Sequence, residues 1–229
     1  MYEWLYGSLG LLLIWLIFFI IKKEIRKEML LGSLLTMPFS LTEPLFVPEY
    51  WNPPTLFDLA QKTGFDIESL IFCFAVGGIA IIFYEVIFKV KHIKMSMKEH
   101  HSKRHRFHNL ALLLPFITFI ILFSFAEFNI IYIVLIAMFV GIIAAMLCRP
   151  DLNKKMIYTG FLFLILYFLL FFGLIEILSP GYIEKVWNFS MISGILIFGV
   201  PLEELLFGFG FGALWSSWYE HFKWYKIIT

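Results

Sequence analysis

Lysine and arginine are confined almost entirely to alternate gaps between long apolar runs. The runs cover residues 2–21, 28–46, 65–88, 109–125, 130–147, 156–178 and 193–218. A helix needs roughly 17–25 residues to cross a bilayer, and each run approaches or reaches that length. Of the 18 Lys and Arg residues, only Lys62 and Lys185 fall in the loops after the second and sixth runs. Inside lipid every backbone polar group must be paired within the segment, so runs of this kind become helices. The expected fold class is therefore all-α, a polytopic membrane protein with seven transmembrane helices. A hydrophobic content of 61% and a mean hydropathy of +0.86 agree. The charge bias predicts an N-terminus outside the cell membrane and a C-terminus in the cytoplasm. The first run lacks a basic leader and a small-residue cleavage pattern, so it is expected to stay in the mature protein.

The chain also repeats itself. One fixed offset lays Gly64-Phe65-Asp66-Ile67-Glu68 on Gly199-Val200-Pro201-Leu202-Glu203, Phe72 on Phe207, and Tyr84-Glu85 on Tyr219-Glu220. With one gap, Trp51-Asn52 falls on Trp187-Asn188. The predicted organisation is a first repeat unit over residues 1–90, a basic loop and linking helix over 91–128, and a second repeat unit over 129–229. A single extra helix between two three-helix units makes the copies parallel, related by a pseudo-two-fold axis along the membrane normal.

Ionisable groups inside an apolar run are expensive and mark function by default. The seventh run carries two in succession. At intervals of four residues Glu203, Phe207, Phe211, Trp215 and Tyr219 form one stripe, and Glu204, Gly208, Gly212 and Ser216 the next. Small residues let a neighbouring helix approach, which points Glu204 at a helix and Glu203 at a cavity, with the reverse assignment open. Glu68 and Phe72 repeat the acidic and aromatic start. The bland alternative is that these carboxylates only tie helices together.

Several chemistries are excluded or disfavoured. No Gly-rich turn between a strand and a helix offers a dinucleotide site. Cys73 and Cys148 are too few and too unlike in setting for a disulfide framework or a thiolate metal site. His92, His100, His101, His105 and His108 crowd one basic loop, too local for a di-iron centre fed by several segments. A retinal Schiff base would need a lysine in the last helix, and none stands between Lys185 and Lys223. A proton-coupled transporter with paired intramembrane carboxylates remains the alternative reading.

Pro201-Leu202-Glu203-Glu204 with Phe207, the upstream Glu43-Pro44, Pro48-Glu49-Tyr50-Trp51 and the duplicated unit resemble the integral-membrane lycopene cyclases. That family occurs as two small subunits in some actinobacteria and as a domain fused ahead of phytoene synthase in fungi. The proline-x-acid-acid signature is intact in the second copy. In the first it is degraded, with Asp66 in the proline's place and Ser69 in that of the second acid. The resemblance implies an acid-catalysed, non-redox closure of the acyclic ψ-ends of lycopene to β-ionone rings. It implies Glu203 as proton donor, with Glu204, Glu68 or Glu43 as base or orienting group. Pro201, Phe207, Phe211, Trp187, Tyr50, Trp51 and Phe72 become candidate substrate-binding residues. The reaction consumes no hydride, so no cofactor and no metal are expected. The implied partners are lycopene or a related acyclic carotenoid, the lipid bilayer and other pathway enzymes such as phytoene synthase; no nucleic acid is expected.

Overall fold

Proline and glycine decide where the long helices stop. The computed structural model describes residues 2–228, most of them helical. Helix α1 spans Glu3–Ile21. Helix α2 spans Arg26–Thr36 and tightens into a 3-10 segment over Met37–Leu45 that contains Pro38 and Pro44. Each proline lacks the amide that an α-helical rung requires, so the ladder is not sustained there. Helix α3 spans Ile67–Ile87 and is capped by Asp66, whose carboxylate accepts the Ser69 amide. Helices α4 (His108–Phe125) and α5 (Ile130–Cys148) are joined by a short loop and pack on each other. Helix α6 covers Asn153–Phe168 and widens into a π-helix over Leu169–Glu176. Helices α7 (Leu202–Trp215) and α8 (Trp218–Lys223) follow, and short helical turns at Leu59–Thr63, Met97–His100 and Tyr182–Val186 lie in the loops.

Among the described residues, five helices are long and apolar enough to cross a membrane, which fits an integral membrane protein. They are Glu3–Ile21, Ile67–Ile87, Lys103–Phe125, Ile130–Cys148 and Pro150–Gly173. The second and seventh expected spans are the irregular ones. The sequence pattern starts the seventh at Ser193, yet α7 begins only at Leu202. Between them the chain makes a small ribbon, strand β2 (Leu196–Ile197) on strand β3 (Val200–Pro201). Its turn residues Phe198 and Gly199 both have positive φ, 51° and 84°, as a two-residue hairpin turn of this hand demands. Gly194 at φ 70° adds a further break. A second ribbon pairs strand β1 (Lys91–Lys94) with strand β4 (Tyr225–Ile228), antiparallel. The all-α expectation is corrected to that extent.

Helix pairs pack alike in the two halves. Helix α2 lies on α3, and α6 on α7, at crossings that leave no room for a side chain. A Cβ added at Gly77 would stand 2.6 Å from the Gly32 carbonyl oxygen; one at Gly212 would stand 2.8 Å from that of Thr159. Where the halves meet, Trp51 and Trp187 form an isolated antiparallel bridge. The Asn52 amide donates to the Val186 carbonyl at 2.9 Å, and the Asn188 amide to the Tyr50 carbonyl at 3.0 Å. The repeat alignment lays Trp51-Asn52 on Trp187-Asn188.

The basic segments gather at the opposite end of the helices from that bridge. Lys22 donates to the Val86 carbonyl, and Arg149 to the carbonyls of Glu220 and Tyr225. Lys155 is buried there among carboxylates, 2.8 Å from Glu85, 2.6 Å from Glu220 and 3.5 Å from Glu28. His92 from β1 closes the cluster at 3.0 Å from Glu220 and 3.3 Å from Glu85. Burial works against a charge on His92, but hydrogen bonds to Glu220 and Glu85 outweigh it and raise its pKa to about 10. Opposite charges from α2, α3, α6 and α8 thus meet in one buried knot.

Candidate functional site

Seven of the eleven residues singled out in the sequence line one cavity of about 430 Å³. Glu43, Tyr50, Trp51, Phe72, Glu204, Phe207 and Phe211 do so. The cavity lies between the halves, walled by the 3-10 segment after α2, by α3, α4, α5, α7 and by the π-helical continuation of α6.

The two acids that reach it are held in parallel ways. Glu204 is 6% exposed and Glu43 8%. The Glu204 Oε1 accepts from the Tyr50 hydroxyl at 2.6 Å and from the Trp187 indole at 3.0 Å. The Glu43 Oε1 accepts from the Trp51 indole at 3.0 Å. The paired loops that carry Trp51 and Trp187 therefore place one indole donor on each carboxyl. Among the described residues no Lys, Arg or His forms an ion pair with either acid. Each carboxyl is therefore held by the hydrogen-bond donors just named and not by a neighbouring charge.

Aromatic faces make up the wall. Along α7, Phe207, Phe211 and Trp215 stack in sequence with ring centroids 5.8 Å apart at each step. The spacing follows from their fourfold interval on one helix face. Near the acids, Trp4 meets Trp51 edge-on at 4.6 Å and Phe72 at 5.0 Å. Such π-faces attract a cation without offering it a nucleophile.

The other expected acids lie elsewhere, and the expected sides of Glu203 and Glu204 are exchanged. Glu203 turns to α5, where its Oε1 accepts from the Tyr132 hydroxyl at 2.8 Å and the Ser193 amide at 2.9 Å. Glu68, fully buried, accepts the Leu56 amide at 2.7 Å. Each therefore fastens the loop that precedes its own helix. Pro201 caps α7 and Trp187 holds Glu204 from behind the wall.

The model of the lycopene cyclase family matches residues 129–222. Over that segment the chain is similar to the lycopene cyclase family. No curated protein and no solved structure matches it. The lycopene cyclase match runs from α5 to α8 and includes Trp187, Pro201, Glu203, Glu204, Phe207 and Phe211. The similarity points to a cyclase enzyme with a carotenoid substrate and a membrane lipid environment.

Sequence reasoning misses Trp4, Tyr167 and Phe171, which also line the cavity. Trp4 sits at the start of an apolar run, where an aromatic reads as an interface anchor. Tyr167 and Phe171 flank the change from α- to π-helix, and no residue pattern marks that change.

Proposed function

We propose that this chain is a lycopene cyclase forming β-rings, with Glu204 as proton donor and Glu43 as proton acceptor. One observation carries the reading: two buried carboxyls without counter-ions face a single aromatic cavity. Glu204 gives its proton to the terminal double bond of an acyclic ψ-end. The tertiary cation so formed is attacked by a second double bond of the same chain, closing a six-membered ring and moving the positive charge into it. Loss of a ring proton to the ionised Glu43 carboxylate leaves a new double bond and no net redox change, and passage of that proton from Glu43 back to Glu204 resets the pair. During the cationic interval the stacked Phe207 and Phe211 and the Trp4–Phe72 pair face the charge. Tyr50 and Trp187 fix the donor, and Trp51 the acceptor, so little reorganisation is needed as charge develops.

A cavity of about 430 Å³ suits one end group of a long polyene, with the remainder of the chain lying outside it. Its nearly continuous apolar and aromatic lining favours this chemistry over an ion pathway, which would need polar groups in series. We assign Glu203 and Glu68 to loop anchoring rather than to proton transfer. In the same reading α2 with its 3-10 extension, and α7 with α8, also cross the bilayer, giving seven spans in two parallel units. The basic end then faces the cytoplasm. The test is expression in a lycopene-accumulating bacterium with the pigments identified by chromatography. β-Ring products support the proposal, and unchanged lycopene beside well-expressed, folded protein sinks it.

A further inference from the structure

At the basic end, away from the acid-lined cavity, three distant parts of the chain bring metal-ligating atoms together. His108 is the first residue of α4, Cys148 the last of α5, and His221 lies in α8. One ligand atom from each lies within 4.8 Å of the others. All three side chains are removed from solvent, with His108 4%, Cys148 6% and His221 0% exposed. The His108 Nδ1 approaches the Cys148 Sγ at 3.5 Å.

The state of His221 indicates a ligand. Its Nδ1 lies 2.8 Å from the Ser217 carbonyl oxygen. A carbonyl only accepts, so Nδ1 carries the hydrogen and Nε2 presents a bare lone pair. That Nε2 is buried and, among the described residues, has no hydrogen-bond partner. Leaving a buried acceptor unmatched is costly. An imidazole oriented through Nδ1 onto a backbone carbonyl, with the other nitrogen free, is the arrangement of a metal-binding histidine. The rings are also fixed in place: His108 lies stacked between His221 at 5.3 Å and Trp224 at 3.9 Å. Beside them a second cavity of about 630 Å³, lined by His100, His101, His105 and Trp224, reaches His108 from the basic loop.

We propose that His108, Cys148 and His221 bind one Zn(II) ion. Two imidazole nitrogens and one thiolate are a borderline-soft donor set that zinc accepts in tetrahedral geometry, with a fourth position left for water or another ligand. Binding forms the sulfur–zinc bond as the thiol proton passes to solvent. The ion ties the start of α4 and the end of α5 to α8, and so holds the C-terminal segment on the bundle. Its role is structural and separate from the proton chemistry at the other end of α7. The donors lie at positions 108, 148 and 221, so no short motif marks them, and the expectation of no thiolate metal site is set aside.

The test uses the full chain purified in detergent, stripped with a chelator and shown by circular dichroism to remain folded. Titration with Co(II) should produce a near-ultraviolet thiolate-to-cobalt band that saturates at one ion per chain and is bleached by one equivalent of Zn(II). Cys148→Ser should abolish the band and Cys73→Ser should leave it intact. His221→Gln should weaken Co(II) binding by more than the roughly 10–100-fold that loss of an outer-shell partner costs. Zn(II) should also slow alkylation of Cys148 in the unmutated chain, a readout that needs no variant to fold. A folded wild-type chain without the band, a band that survives Cys148→Ser, or alkylation indifferent to Zn(II) would overturn the proposal.

Discussion

Tyr50 and Glu204 are 154 residues apart and share a 2.6 Å hydrogen bond at the wall of the acid-lined cavity. One comes from the loop of the first half, the other from the first turn of α7, so neither half builds the site alone. The Trp51–Trp187 bridge is what brings them into register. In the proposed mechanism, proton donation from Glu204 therefore depends on correct assembly of the two halves.

Glu204→Gln keeps size and hydrogen bonding and removes the transferable proton. Loss of general-acid catalysis should lower cyclisation by about 10²–10⁴-fold, with protein level little changed. Glu43→Gln should fall in the same range if Glu43 takes the proton back. Tyr50→Phe removes one hydrogen bond, worth about 0.5–1.5 kcal/mol, and should cost only about tenfold. Turnover in detergent-solubilised membranes, read by pigment chromatography, checks all three. Near-normal activity in Glu204→Gln would remove the proposed donor.

Glu203→Gln and Glu68→Gln separate anchoring from chemistry. Both side chains accept amides from their own upstream loops, and a Gln carbonyl can still accept. Each variant should keep turnover within about tenfold while its melting temperature drops, because a hydrogen bond to a charged group is worth about 1.5–3 kcal/mol. If Glu203→Gln abolishes cyclisation in stable protein, the donor is Glu203 and Glu204 becomes the anchoring acid.

How far the site can be read from residues alone differs from one group to the next. The acidic pair, the aromatic stripe from Phe207 and the small stripe ending at Ser216 are visible as fourfold spacing on one helix. Which acid meets the cavity is not, because adjacent helical residues point about 100° apart and the choice depends on what packs on each face. The small stripe does contact α6, with Gly212 against Thr159 and Gly208 against Tyr167, yet Glu204 at its head lies where the loops leave a gap. The start of α7 is misplaced in the sequence because an apolar stretch from Ser193 reads as helix until the positive φ angles at Gly194, Phe198 and Gly199 are known. Lys155 among Glu28, Glu85 and Glu220 is hidden because each of the four looks like an ordinary loop or helix-end charge.

Topology offers a test independent of chemistry. A reporter fused after Lys226 should behave as cytoplasmic, and one placed between Asn52 and Lys62 as external. In the structure these sites lie at opposite ends of the helices: Lys226 pairs with β1, while Asn52 belongs to the bridge at the acid-lined end. Both reporters on one side of the membrane would refute the span count.

Lys155→Met should be the most damaging single change in the buried knot. It keeps the apolar stem and removes the ammonium that three carboxylates surround. Breaking a buried pair from one side typically costs about 3–5 kcal/mol because the partner is left uncompensated. The expected result is a sharply lowered melting temperature, with partial recovery when Glu220→Gln is added. Glu220→Gln alone should also destabilise, because Glu220 pairs with both Lys155 and His92. No change in melting temperature would mean that water reaches the knot and screens it.

His92 gives the knot a pH dependence of definite sign. Its pKa is raised to about 10 against burial, through Glu220 and Glu85, from an unperturbed value of about 6.5. A group that binds its proton more tightly when folded stabilises the fold fully below the unfolded value. That contribution fades as pH rises toward the folded value. The comparison is between wild type and His92→Gln, in which the titrations of other lysines and tyrosines largely cancel. The wild-type advantage in melting temperature should be largest near pH 6, smaller at pH 8 and nearly gone by pH 10. High salt should reduce it only modestly, because the partners Glu85 and Glu220 are buried. An advantage that is flat or grows across the same range would show that His92 is neutral in the folded protein and contributes through packing alone.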